Sequence, residues 1–350
     1  MSDAERAVRS FMKDWREGKV ASDPALWRPD EGTFDAATVD GFAPPEVGNL
    51  VHRTGDAPPA VQRWKELGEF IEIDRSSIFV VDKGSGPGPA VFVMHGFPGC
   101  SFDWRVVVSE IAGRARVVVF DFLGAGLSDK PANWSYSITA RADLVQQVAA
   151  HCGIDRCLLV GHDIGSNVTG ELLMRASEGA LNFDVEQAIL TPGGIFKDLW
   201  RMAPGLLALL SLPNEPLKER LPLDLFRPQL RATFSREHQP SEEELDCVLW
   251  LNQHNEGDRL VPMVVRYIEE RRTLEERCIG GLTRYTGPLT VLWGEQDPGS
   301  VVAMAHRLKE LRPATEVITW ADVGHWPHAE VPDRVTSIVV ERLARARSAR

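Results

Sequence analysis

Eight short apolar runs set the architecture. They lie at 70–73 ("FIEI"), 77–81 ("SIFVV"), 90–96 ("AVFVMHG"), 115–122 ("ARVVVFDF"), 156–162 ("RCLLVGH"), 187–191 ("QAILT"), 289–294 ("LTVLWG") and 316–320 ("EVITW"). The middle runs are continuous rather than alternating, the pattern of strands buried on both faces. Helix-compatible stretches separate most of them. Such a chain covers its strands by winding helices onto both faces of a mostly parallel sheet. The expected fold is therefore α/β, doubly wound, with a mostly parallel eight-stranded sheet. In such sheets ligands bind beyond the carboxyl ends of the strands, so reactive groups are sought just after these runs.

The spacing of the runs divides the chain. Between 187–191 and 289–294 lie almost one hundred residues, too many for one crossover helix. They read as helices ("KDLWRMAPGLLALL", "SEEELDCVLWLNQ", "RLVPMVVRYIEERRTLEERC"), with Ser241 as an N-cap and Glu244 as its capping-box partner. We expect 195–286 to form a helical cap on a core made of 58–194 and 287–350. Residues 1–57 read as an extension: a helix near 3–17, capped by Asp3, then a Pro-, Gly- and Asp-rich arm expected to hug the surface.

Charge narrows the partners. A net charge of −11 disfavours nucleic acid and anionic membrane. Five cysteines with no C-x-x-C pair fit reduced thiols. The polar first residues do not resemble a signal peptide, and the apolar run 203–213 is too short to span a bilayer. A cytoplasmic protein is expected, with no metal and no cofactor, acting on a small apolar substrate and water.

The run 156–162 leads into Gly161-His162-Asp163-Ile164-Gly165-Ser166 and then into helical sequence. This is the strand–turn–helix of a nucleophile elbow, with aspartate where serine is commoner. Its small residues suit a strained, tightly packed turn, and the positive end of the following helix favours an anion there. Partners of such a nucleophile follow in the order acid, then histidine. Asp297, in "GEQDP", ends the run 289–294, whereas Thr191-Pro192-Gly193-Gly194 after the preceding run offers no carboxylate. His325 follows Gly324 in the loop after the last run, and Gly324 is expected to let that loop bend toward the site, favouring His325 over His328. The "HGFPG" loop, 95–99, can supply the backbone N–H of Phe97, which with that of Ile164 forms an oxyanion hole. Asp121, in "DFLGAGLSDKP", is expected to be structural. A carboxylate is ionised at neutral pH and needs no base to displace a leaving group from saturated carbon. His325, oriented by Asp297, would then activate water against the resulting ester.

"HGFPG", "GHDIGS", "GEQDP" and "GHW", in this order, resemble the epoxide hydrolase and haloalkane dehalogenase branch of the α/β-hydrolase fold. "VQRWKELGEF", "YSI", "LTPGGIF", "PSEEEL" and "RYIEER" are similar to the mesoderm-specific transcript proteins and their bacterial relatives. The resemblance runs from about 58 to 345. It implies a hydrolase with Asp163, Asp297 and His325 as its triad. Dehalogenases of the branch carry a tryptophan after the nucleophile and many an asparagine in the first loop; here those residues are Ile164 and Phe97. Epoxide hydrolases use cap tyrosines as acids, and Tyr267 and Tyr285 fall in or near the cap. Epoxide opening is therefore expected ahead of dehalogenation, in which Trp200 and Trp250 of the cap would hold the halide. Hydrolysis of an ester or strained lactone, and ligand binding without turnover, are the other readings.

Overall fold

The computed structural model describes residues 2–16, 55–86 and 88–348. The arm expected after residue 17 lies outside them. All eight runs form strands of one sheet: β1 Glu69–Ile73, β2 Ser76–Lys83, β3 Ala90–Met94, β4 Val117–Phe120, β5 Arg156–Gly161, β6 Asp184–Leu190, β7 Leu289–Gly294 and β8 Glu316–Trp320. Their order is β1-β2-β4-β3-β5-β6-β7-β8. β2 is antiparallel to both its neighbours, and β4, β3 and β5 to β8 pair in parallel. Every residue of β3, β4 and β7 is buried, as the unbroken apolar runs required. Each fully buried Val, Leu or Phe contributes about 1.5–3 kcal/mol of burial energy, which concentrates stability in the strands that carry the site.

Two apolar clusters cover the sheet, one on each face. One joins Phe92, Val118, Leu159 and Val291 to the helices Ile138–His151 and Ile164–Ser177. The other joins Val91, Val119, Val160 and Leu292 to the helices Arg105–Ala112 and Pro332–Ser348. Alternate residues of one strand thus serve opposite cores.

Between β6 and β7 the chain makes five α-helices: Pro204–Leu210, Arg227–Arg231, Glu242–Gln253, Gly257–Val264 and Tyr267–Arg284. Glu242–Gln253 starts with the expected capping box: Ser241 Oγ accepts the Glu244 N–H, and the Glu244 carboxylate accepts the Ser241 N–H. Near the start of the chain a helix spans Asp3–Arg16. Its capping hydroxyl belongs to Ser2, which accepts the Glu5 N–H at 3.0 Å; Asp3 is already its first residue. Ser2 supplies the short acceptor that a Ncap position uses.

Candidate active site

Asp163 sits between the end of β5 and the helix Ile164–Ser177, with φ 50° and ψ −113°. A non-glycine residue seldom adopts this conformation, which costs of order 1–3 kcal/mol unless its surroundings hold it. Here three strand ends hold it. The Asp163 N–H donates to Pro192 O beyond β6 (2.8 Å), His162 N–H donates to Met94 O of β3 (3.0 Å), and Ser166 Oγ donates to Gly161 O and Thr191 O. Gly96 is equally constrained: a Cβ there would lie 2.4 Å from Asp163 Cβ.

The structure brings Asp163, Asp297 and His325 together. Asp297 follows β7 and accepts the Gly299 and Ser300 N–H groups on Oδ1, both at 2.9 Å. Its Oδ2 lies 2.6 Å from His325 Nδ1. His325 Nε2 faces Asp163 Oδ2 at 3.8 Å, and the Phe97 N–H donates to Asp163 Oδ1 at 2.9 Å. Ile164 is the first residue of the helix behind Asp163, and its side chain is buried in the core. Burial alone would disfavour the His325 imidazolium, but Asp297 and then Asp163 outweigh it and raise the pKa above its ordinary value.

The His325 loop is held from behind by Glu330. This buried carboxyl accepts the N–H groups of Gly324 (2.8 Å), Ser235 (3.0 Å) and Trp326 (2.9 Å). Gly324 works differently from the expectation. It has no positive φ; instead a Cβ there would lie 2.6 Å from Ser235 N and from Thr233 O. The glycine provides room for residues 233–235, and the His325 N–H then donates to Thr233 O at 2.8 Å. Nothing in "WPHAE" marks Glu330 apart from any helix-end carboxylate, so sequence reading missed it.

The remaining candidates separate. Tyr267, at the start of the helix Tyr267–Arg284, is 3 % exposed and directs its hydroxyl to Asp163 Oδ1 at 3.4 Å. Burial and then the Asp163 carboxylate push its pKa well above the ordinary phenol range, so it keeps its proton. Tyr285 is placed elsewhere: its hydroxyl donates to Val185 O at 2.9 Å, at the far end of β6. Trp200 borders the site, with the Arg271 guanidinium 3.8 Å from its ring centroid. Trp250 does not; it stacks on His254 and donates to Gly55 O. His328 is buried, stacked on Trp104 with centroids 4.1 Å apart and edge-on to His162, and it does not line the cavity. Asp121 accepts the Ser101 and Leu127 N–H groups, both at 2.7 Å, which ties two loops together.

Asp163, Asp297 and His325 open into a cavity of about 120 Å³. Its remaining wall is largely apolar and comes mainly from the segment between β6 and β7, including Leu206, Leu209, Leu223, Phe226, Leu249 and Val261.

A strained acidic elbow, an acid–histidine pair and an eight-stranded sheet in this order define an α/β hydrolase. The chain belongs to the α/β hydrolase fold family, whose match spans residues 89–332. It is 34% identical to LipZ of Mycobacterium tuberculosis over 277 residues, 78% of this chain and 94% of that one. It is 32% identical to the mesoderm-specific transcript homolog protein of Homo sapiens over 287 residues, 78% of this chain and 85% of that one. Haloalkane dehalogenase 2 of Mycobacterium bovis is 25% identical over 298 residues, 82% of this chain and 99% of that one. No helix among the described residues is long and apolar enough to cross a membrane.

Proposed function

We propose that the chain hydrolyses a small apolar epoxide through a covalent ester on Asp163, with residues 195–286 as a cap over the substrate. The observation that carries this reading is the Tyr267 hydroxyl, buried and 3.4 Å from Asp163 Oδ1. An epoxide oxygen placed beside Asp163 competes with Oδ1 for that proton. Asp163 Oδ2 forms a bond to a ring carbon as the carbon–oxygen bond breaks, and the ring oxygen takes the Tyr267 proton. His325 Nε2, held by Asp297, then removes a proton from water, whose oxygen adds to the Asp163 carbonyl carbon. The negative charge formed on the carbonyl oxygen is held by the N–H groups of Phe97 and Ile164. Collapse expels a diol and regenerates Asp163; the proton on His325 returns to Tyr267 through solvent.

Dehalogenation is the second reading, favoured by the end-to-end similarity to haloalkane dehalogenase 2. Against it, residue 164 is a buried isoleucine, and Trp326 already donates its indole N–H to Thr233 Oγ1 at 2.7 Å.

Replacing His325 with Gln should trap the ester. Mass spectrometry of the Asp163 peptide after exposure to mixed epoxides and haloalkanes should find an epoxide adduct. A haloalkane adduct alone would select the second reading. Wild-type turnover of an ester or lactone without any adduct would transfer the chain to acyl chemistry. No adduct and no turnover would leave a binding protein.

A further inference from the structure

The helix Asp3–Arg16 lies outside the matched residues 89–332, yet it packs against the helix Pro204–Leu210. Its apolar positions Ala4, Val8 and Phe11 fall on one face; Val8 is 2 % exposed and is part of the main apolar core, against which Ala4 and Phe11 pack. Charged side chains lie elsewhere on the helix, with Arg9 paired to Glu5 at 2.9 Å. The helix it covers is unusual in two respects. Pro204–Leu210 has seven residues and no side-chain cap, too short to persist on helix propensity alone. Its Gly205, Leu206 and Leu209 line the cavity over Asp163.

We propose that the helix Asp3–Arg16 is the outer wall of the substrate enclosure and determines the size of substrate admitted, by holding Pro204–Leu210 down over the cavity. Pro204–Leu210 is held at its ends: the Gly205 N–H donates to Gln229 Oε1 at 2.8 Å, and Arg266 Nη1 donates to Leu210 O at 3.1 Å. Leu206, Leu207 and Leu210 are only partly buried, so removing the covering helix removes apolar support from a segment otherwise braced by the helix Gly257–Val264 and bordering the cavity. The segment then moves outward and the cavity admits larger molecules, while the Asp163–His325–Asp297 geometry, fixed by strand ends and by the contacts of the His325 loop with Thr233 and Glu330, is untouched.

The test needs no knowledge of the substrate. Leu249 lines the cavity from the helix Glu242–Gln253; Leu249→Cys places a thiol inside. Its labelling by iodoacetamide and by the bulkier fluorescein-5-maleimide is compared in full-length chains with Val8 intact, with Val8→Ala and with Val8→Asp, mapped by peptide mass against the native cysteines. Hydrogen exchange of 204–210 is followed alongside. We expect Val8→Asp to raise the bulky-to-small rate ratio at position 249 about tenfold and Val8→Ala about threefold, with exchange faster at 204–210 but not in the sheet. An unchanged ratio overturns the proposal, whether or not exchange rises. So does exchange that rises equally throughout the sheet, which would make the helix a general stabiliser. If Val8→Asp does not fold, Val8→Ala decides by the same two readouts.

Discussion

His325 reaches Asp297 with Nδ1 at 2.6 Å and keeps Nε2 pointed at Asp163. One ring thus joins a carboxylate that orients it to the carboxylate whose ester it would attack through water. The short contact fixes which nitrogen is free to act as base.

Asp297→Asn tests that role. The His325 pKa is raised, so the imidazolium is favoured by folding. Stability from this group is full below the unfolded value and is lost as pH rises through the folded one. Ester hydrolysis needs the neutral ring and should rise over the same upper window. The substitution should move that limb toward acid and slow hydrolysis on the order of a hundredfold or more. A pH–rate profile with an unmoved limb would contradict the assignment.

The two tyrosines should respond oppositely. Tyr267→Phe removes the proposed proton donor, and single-turnover kinetics should show ester formation from an epoxide slowed on the order of a hundredfold, with ester hydrolysis nearly unchanged. Tyr285→Phe removes only the bond to Val185 O, costing about 1 kcal/mol in a urea melt and leaving kcat alone.

Asp163→Gly should exchange activity for stability. Glycine accepts the φ of 50° without strain. We expect turnover to vanish while the urea midpoint rises, by about 1 kcal/mol in stability. A midpoint that falls would mean that the Asp163 hydrogen bonds outweigh its backbone strain.

Glu330→Gln should weaken the His325 loop without touching the reacting atoms. The amide nitrogen cannot accept, so the substitution removes the acceptor either of the Trp326 N–H or of the Gly324 and Ser235 N–H groups, which bind different oxygens of Glu330. A loss of about 1–3 kcal/mol, with hydrolysis of the ester slowed more than its formation, is the expected result in denaturant melts and single-turnover kinetics.

The fold was legible because the sheet buries both faces, and unbroken apolar runs leave few alternatives. Asp163, Asp297 and His325 were legible because each follows such a run, where strand ends must deliver side chains. Tyr285 and Trp250 misled for one physical reason. Periodicity places a residue on a helix but not the direction its side chain takes at the helix end or rim, and both point to backbone carbonyls away from the cavity. Glu330 escaped notice because its partners are backbone N–H groups, which leave no mark in sequence. The helix at Asp3–Arg16 was legible near 3–17, but its apolar face has a partner two hundred residues away that local pattern could not name.

Apart from Tyr267, the groups around Asp163 come from strand ends, while most of the cavity's apolar wall comes from the segment between β6 and β7. The two sets of positions therefore face separate mutational pressures. A leucine of the wall can change with little effect on the reactive carboxylate, whereas a side chain at Gly96 would collide with it. Such a molecule can drift in what it accepts while inheriting its chemistry intact, and divergence among its relatives should gather in the wall.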